Sequence, residues 1–249
     1  MWMLLHGFTG SPRSWDEVVA RADFDQEPVL PTLVGHGPDW RRGEPRGFDA
    51  EASHLASMAL GLRRPRFVCG YSMGGRVALG MLIRHPELWD AALLIGVHPG
   101  LADEPARAAR RAVDSDRAQR LRGEGIAAFV ADWGDLPLFQ SQRNLSSMIL
   151  EKQDAIRLSH DAHGLAHALE VIGLAEMPNY GAMLSSLAVP TTLMAGACDA
   201  KFSEVACALA EASSHIDAML VEGVGHNVVL EAPEAVATAL NGIERRMSR

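Results

Sequence analysis

Short apolar runs alternate with longer segments whose apolar positions recur every three to four residues. The apolar runs read as strands over Trp2–Leu5, Pro28–Leu30, Arg66–Cys69, Ala91–Ile95, Thr191–Ala195 and Ala218–Val221. The intervening pattern predicts helices over Ser14–Val19, Ala50–Leu62, Gly74–His85, Ser203–Ala212 and Pro233–Arg246. Strands that read as nearly unbroken apolar runs, each followed by a helix, belong to a parallel sheet covered on both faces. From His98 to Ala188 the pattern changes to helical segments without a strand, broken near Gly123-Glu124-Gly125 and Asp135-Leu136-Pro137. At about 90 residues this stretch far exceeds a connecting loop. It reads as a helical cap (98–188) inserted into an α/β core made of residues 1–97 and 189–249.

One pentapeptide carries chemistry. Gly70-Tyr71-Ser72-Met73-Gly74 lies where an apolar run gives way to a helical pattern. A serine between glycines at a sharp strand-to-helix turn is the nucleophile elbow of α/β-hydrolases. A serine hydroxyl needs a base to be useful, and that base needs an orienting carboxylate. In this fold they follow in the order acid, then histidine. Asp199 ends Thr192-Leu193-Met194-Ala195-Gly196-Ala197-Cys198-Asp199, and His226 sits in the glycine-rich turn after Leu220-Val221-Glu222. Asp217 and Glu222 are rival acids, but one precedes its strand and the other shares the histidine's loop. His6-Gly7-Phe8 follows the first strand, which nominates the Phe8 and Met73 N–H groups as an oxyanion hole.

Composition narrows the partners. The formal net charge of −8 argues against nucleic acid. No apolar run approaches the roughly 18 residues of a membrane span, and the first residues lack the basic start and cleavage site of a secretory signal. Three scattered cysteines, Cys69, Cys198 and Cys207, read as reduced thiols of a cytoplasmic protein. The charge is uneven, since Arg107, Arg110, Arg111, Arg117, Arg120 and Arg122 crowd one helical segment. His160, His163 and His167 fall at helical spacing and read as a polar cap surface, with a metal site as the alternative. His36, in Gly35-His36-Gly37, reads as shaping a turn.

Beyond the elbow, several segments resemble one lyase family of the α/β-hydrolase superfamily: His98-Pro99-Gly100-Leu101, the arginine-rich helix, Ala131-Asp132-Trp133, Gly196-Ala197-Cys198-Asp199-Ala200-Lys201-Phe202 and Gly225-His226-Asn227. These are similar to the 2-succinyl-6-hydroxy-2,4-cyclohexadiene-1-carboxylate synthases of menaquinone biosynthesis. The resemblance implies an α/β-hydrolase fold and a lyase that expels pyruvate from a polycarboxylate ring substrate. It implies that Ser72, polarised by His226 and Asp199, acts as a base, with no metal or organic cofactor. It also implies substrate contacts from Tyr71, Arg76, Arg110, Trp133 and Arg157, with Arg107 and Arg111 competing for the role of Arg110. Two departures stand out: the first strand begins the chain with no antiparallel hairpin ahead of it, and Pro31-Thr32 stands where Asp and Pro are usual. A serine carboxylesterase or C–C bond hydrolase with Ser72 as nucleophile remains the alternative, and a non-catalytic ligand-binding member of the fold a more distant one.

Overall fold

The computed structural model describes residues 1–38, 40 and 47–247. Among these, five strands form one parallel sheet: β1 (Trp2–Leu5), β2 (Phe67–Tyr71), β3 (Ala91–Ile95), β4 (Thr191–Gly196) and β5 (Ile216–Val221), in that spatial order. The first four are buried along their whole length. That is why their sequences are nearly unbroken apolar runs, with only Thr191 and Thr192 of β4 polar among them. Strand β5 is one edge, and its exposed residues include Asp217.

Alternate residues face opposite layers. Met3, Leu5, Val68, Ala92 and Leu94 pack against α2 (Phe48–Met58) and α3 (Met73–Arg84). Trp2, Leu4, Phe67, Cys69 and Leu93 pack on the other side against α1 (Asp16–Val19) and the C-terminal helix (Pro233–Met247).

The predicted strand Pro28–Leu30 is reduced to a single bridge. Val29 exchanges backbone hydrogen bonds with Trp2 and Leu4, and the pairing goes no further. Proline at 28 and 31 supplies no N–H, so a longer ladder has no donors at those points. Elsewhere the differences are small. A 3-10 turn (Pro12–Trp15) leads into α1, another (Ala59–Gly61) finishes the predicted 50–62 helix, and α7 (Ala200–Ala212) starts three residues earlier than expected.

Between β3 and β4 the described residues hold helices and no strand: α4 (Glu104–Gly134), α5 (Ser147–Leu158) and α6 (Ala162–Ile172). Asp103 caps α4 by accepting from the Ala106 N–H at 2.8 Å, with Pro105 in the first turn. Gly125 has φ 82°, which bends α4 where the glycine pair predicts a break. No helix among the described residues is long and apolar enough to cross a membrane. None of the three cysteines is in a disulfide.

Candidate active site

Glycines make the elbow possible. Ser72 has φ 51°, a backbone that L residues rarely adopt. A Cβ on Gly70 would lie 2.5 Å from the Gly74 carbonyl oxygen, and one on Gly74 would lie 2.3 Å from that of His6. The turn therefore closes only with hydrogen at both positions. Ser72 sits at the cap position of α3, yet its hydroxyl makes no capping bond. It is paired with His226 Nε2, 3.0 Å away.

His226 Nδ1 donates to Asp199 Oδ2 at 2.7 Å. A carboxylate on Nδ1–H leaves Nε2 as the acceptor, so the serine O–H donates to it. Asp199 is itself fixed. It caps α7, with Oδ1 accepting from the Phe202 N–H at 3.4 Å while Oδ2 serves the imidazole. The rival acids Asp217 and Glu222 are exposed and do not reach His226. The histidine loop is pinned by Glu231, which accepts from the Gly225 N–H at 2.9 Å and the Asn227 N–H at 3.2 Å. The rings of Phe202, Tyr71 and Phe139 surround the imidazole at 4.6, 5.5 and 6.4 Å between centroids. The sequence reading assigned Glu231, Phe139 and Phe202 no role. The nearest signal is an acid four residues after an Asn helix cap.

Met73 opens α3, so its N–H belongs to the turn whose donors have no partner within the helix and which carries the positive end of the helix dipole. Phe8 lies in a tight turn closed by the Gly10 N–H on the Gly7 carbonyl at 3.0 Å. The Tyr71 ring fills the space beside Gly7, 2.8 Å from where a Cβ would be. The Phe8 ring meets Trp133 edge-on at 5.2 Å, and Trp133 stacks on Phe129 at 5.5 Å.

The arginines separate sharply. Arg76 is 7 % exposed, donates to the Ile172 carbonyl at 3.1 Å, and has no carboxylate in ion-pair range among the described residues. Burial, with Arg110 nearby, lowers its pKa to about 9. Arg110 pairs with Asp114 at 2.8 Å, and Arg117 approaches the same carboxylate at 3.4 Å. Arg117 also lies over the Trp133 ring at 5.2 Å. Asp114 is 4 % exposed, a buried anion between cations. Arg107 instead spends its guanidinium on the carbonyls of Ala175 and Met177, and Arg111 on the surface acid Glu176. Of the three competitors, Arg110 is the one near Arg76. Arg157 is buried, held by Asp154 at 3.1 Å, and lies over Phe139 at 5.5 Å. Burial, followed by Lys201, Arg76 and Arg110, holds His98 down to about 4. Sequence reasoning gave neither Arg117 nor Asp114 a role in the site, because α4 is polar on nearly every side.

Of the histidines at 160, 163 and 167, His163 is exposed as expected and His160 is not. His160 is buried, not on a polar surface. Helix α6 starts only at Ala162, so the helical spacing 160–163–167 does not describe one face. No group of side chains among the described residues is arranged to hold a metal ion.

The alpha/beta hydrolase family pattern matches residues 3–239. The 2-succinyl-6-hydroxy-2,4-cyclohexadiene-1-carboxylate synthase of Enterobacter sp. (strain 638) is 33 % identical over 247 residues, covering 98 % of this chain and 92 % of that protein. Among solved structures, MenH from S. aureus superposes with a TM-score of 0.92 at 31 % identity, covering all of this chain and 94 % of that one. A malate-bound thermophilic esterase from Thermogutta terrifontis gives 0.84 at 25 % identity, covering 99 % and 89 %. With helices on both faces of a parallel sheet and a serine elbow at the end of β2, the chain belongs to the alpha/beta hydrolase family.

Proposed function

We propose that this protein is a carbon–oxygen lyase of menaquinone biosynthesis. It takes a proton from 2-succinyl-5-enolpyruvyl-6-hydroxy-3-cyclohexene-1-carboxylate and eliminates pyruvate, giving 2-succinyl-6-hydroxy-2,4-cyclohexadiene-1-carboxylate. The observation that carries this reading is an incompletely neutralised arginine group: Arg76, buried and one turn past Ser72 on α3, with the half-buried Arg110 and Arg117. Arg76 has no carboxylate partner among the described residues, and Arg110 and Arg117 share a single one. A guanidinium removed from water calls for an anion, and planar forks suit carboxylates. A neutral ester would supply none. The name borne by the Enterobacter relative points the same way.

In this reading, Ser72 Oγ receives the substrate proton as its own passes to His226 Nε2. Asp199 stabilises the imidazolium that forms. The electron pair of the broken C–H bond moves toward the succinyl ketone, whose oxygen gathers negative charge at the Phe8 and Met73 N–H groups. Return of that pair forms the C2=C3 bond, the ring's existing C3=C4 pair shifts to C4=C5, and the C5–O bond breaks, so the enolpyruvyl group leaves with the bonding pair and is protonated to pyruvate. Arg76, Arg110 and Arg157 hold carboxylates, while Tyr71 and Trp133 line the ring.

Pyruvate release, coupled to lactate dehydrogenase and followed at 340 nm, tests this. Ser72→Ala and His226→Ala should each lose at least about 10³-fold in kcat, and Arg76→Met should act mainly on KM. Pyruvate at background, with brisk turnover of p-nitrophenyl acetate, would sink the lyase reading. It would favour the second one, a serine carboxylesterase with Ser72 as nucleophile. That reading draws on the same elbow geometry and the Thermogutta esterase likeness.

A further inference from the structure

Three buried histidines take no part in the steps above. His6 follows β1, His36 lies in the next loop, and His160 precedes α6. Their rings meet edge to face, His6–His36 at 4.8 Å and His36–His160 at 5.4 Å. Their partners fix two of the tautomers. Gly7 O can only accept, so His6 carries its proton on Nδ1, and the Leu33 N–H donates to Nε2. His160 is the reverse. Its Nδ1 accepts from the Gly37 N–H at 2.8 Å, so its Nε2–H donates to the Thr9 carbonyl at 3.1 Å.

That last bond falls on an unusual residue. Thr9 has φ 61°, which a β-branched side chain resists, and it directly follows Phe8. Such a backbone persists only where the surroundings over-determine it. Thr9 is 3 % exposed and His160 4 %, so water does not replace the bond. His160 is in turn immobilised. It is tied to Gly37, and Gly35 two residues earlier is pressed so closely against α6 that a Cβ would lie 2.3 Å from the Gly164 carbonyl oxygen. The Phe8 ring is clamped separately, by Trp133, Phe129 and His36.

We propose that His160 is a positioning residue for the oxyanion loop: from the segment between β3 and β4 it grips the Thr9 carbonyl and holds the left-handed backbone that aims the Phe8 N–H. This rests on Phe8 serving as an oxyanion donor. It does not depend on whether Ser72 acts as base or as nucleophile.

Two substitutions separate the bonds. Gln places an N–H near the Nε2 position and keeps the grip on Thr9. Asn places an oxygen near the Nδ1 position and keeps only the Gly37 bond. His160→Gln should retain kcat within about threefold, whereas His160→Asn should lose about 30-fold in kcat with KM changed less than about twofold. His160→Phe, which refills the ring volume without either bond, should match His160→Asn and stands in for it if the Asn variant does not fold. The assay uses whichever reaction the wild type performs, pyruvate elimination or p-nitrophenyl acetate hydrolysis, so failure of the lyase reading leaves this test intact. Equal kcat in all three variants, a loss confined to KM, or Asn outperforming Gln would overturn the proposal.

Discussion

Replacing Gly74 with alanine is the most direct test of the elbow. The added Cβ would sit 2.3 Å from the His6 carbonyl oxygen and 2.4 Å from that of Leu5. An ordinary carbon–oxygen contact needs about 3.3–3.6 Å, so α3 must withdraw from the end of β1 by about 1 Å. Neither obstacle is a flexible side chain. Both are backbone at the end of a buried strand, so the strain has no cheap outlet. Overpacking of this kind costs about 1–3 kcal/mol, which lowers the melting temperature of a chain this size by about 2–12 °C. The functional cost is larger. The same shift separates the Met73 N–H from Phe8 and moves Ser72 relative to His226, and misplacement by about 1 Å can cost about 10²-fold in rate. Differential scanning fluorimetry and steady-state turnover would be measured beside Gly61→Ala, where nothing lies within 4 Å of the new Cβ. Gly61→Ala should be near neutral in both. If Gly74→Ala kept wild-type turnover and melting temperature, the close approach of α3 to β1 would not be what holds the serine, and the steric account would fail.

Asp114→Asn removes the buried anion shared by Arg110 and Arg117; in steady-state kinetics the KM for a polycarboxylate substrate should fall with little change in kcat, and the melting temperature should drop by a few degrees, because two cations lose their partner. Acid should destabilise the fold through its neutral histidines. Burial holds His6 down to about 4 against an ordinary 6.5, so the unfolded chain takes up a proton near 6.5 that the folded chain refuses until about 4. Stability is full above 6.5 and falls as pH drops toward 4, by about 3 kcal/mol for His6 alone. Urea titrations at pH 7.5, 5.5 and 4.5 would read this, and a flat profile would contradict it.

What was legible in the sequence follows from what each residue does locally. Ser72, Asp199 and His226 stand out because strand ends and glycines mark them, and the hydrogen-bonded chain joins those three side chains. The five helices read from periodicity lie within a few residues of where they were expected, whereas between 98 and 188 only helical character and its breaks were legible. The short pairing at Val29 was not, because an apolar run says nothing about how many N–H groups two flanking prolines leave available. Which arginine faces inward was equally hidden. Helix α4 is polar around most of its circumference, and only its packing on α6 separates Arg110 from Arg107 and Arg111. His160 misled for a related reason. Its spacing from His163 and His167 suggests one helix face, but Asp161 caps α6 after it, leaving His160 on the incoming loop and free to turn inward.

Strands β3 and β4 are hydrogen-bonded neighbours, Ile95 beside Met194, although everything from α4 to α6 lies between them in the chain. The intervening segment therefore leaves and re-enters the sheet at adjacent points, like a cartridge in a fixed slot. Ser72, Asp199 and His226 all lie outside it, whereas Arg110, Trp133, Phe139 and Arg157 lie inside. Lineages can lengthen, shorten or exchange that cartridge without disturbing strand register. On the proposed reading, the Ser72–His226–Asp199 chain can thus be inherited intact, together with Arg76 and Tyr71, while the remaining substrate contacts and the His160 grip on Thr9 change with the cartridge.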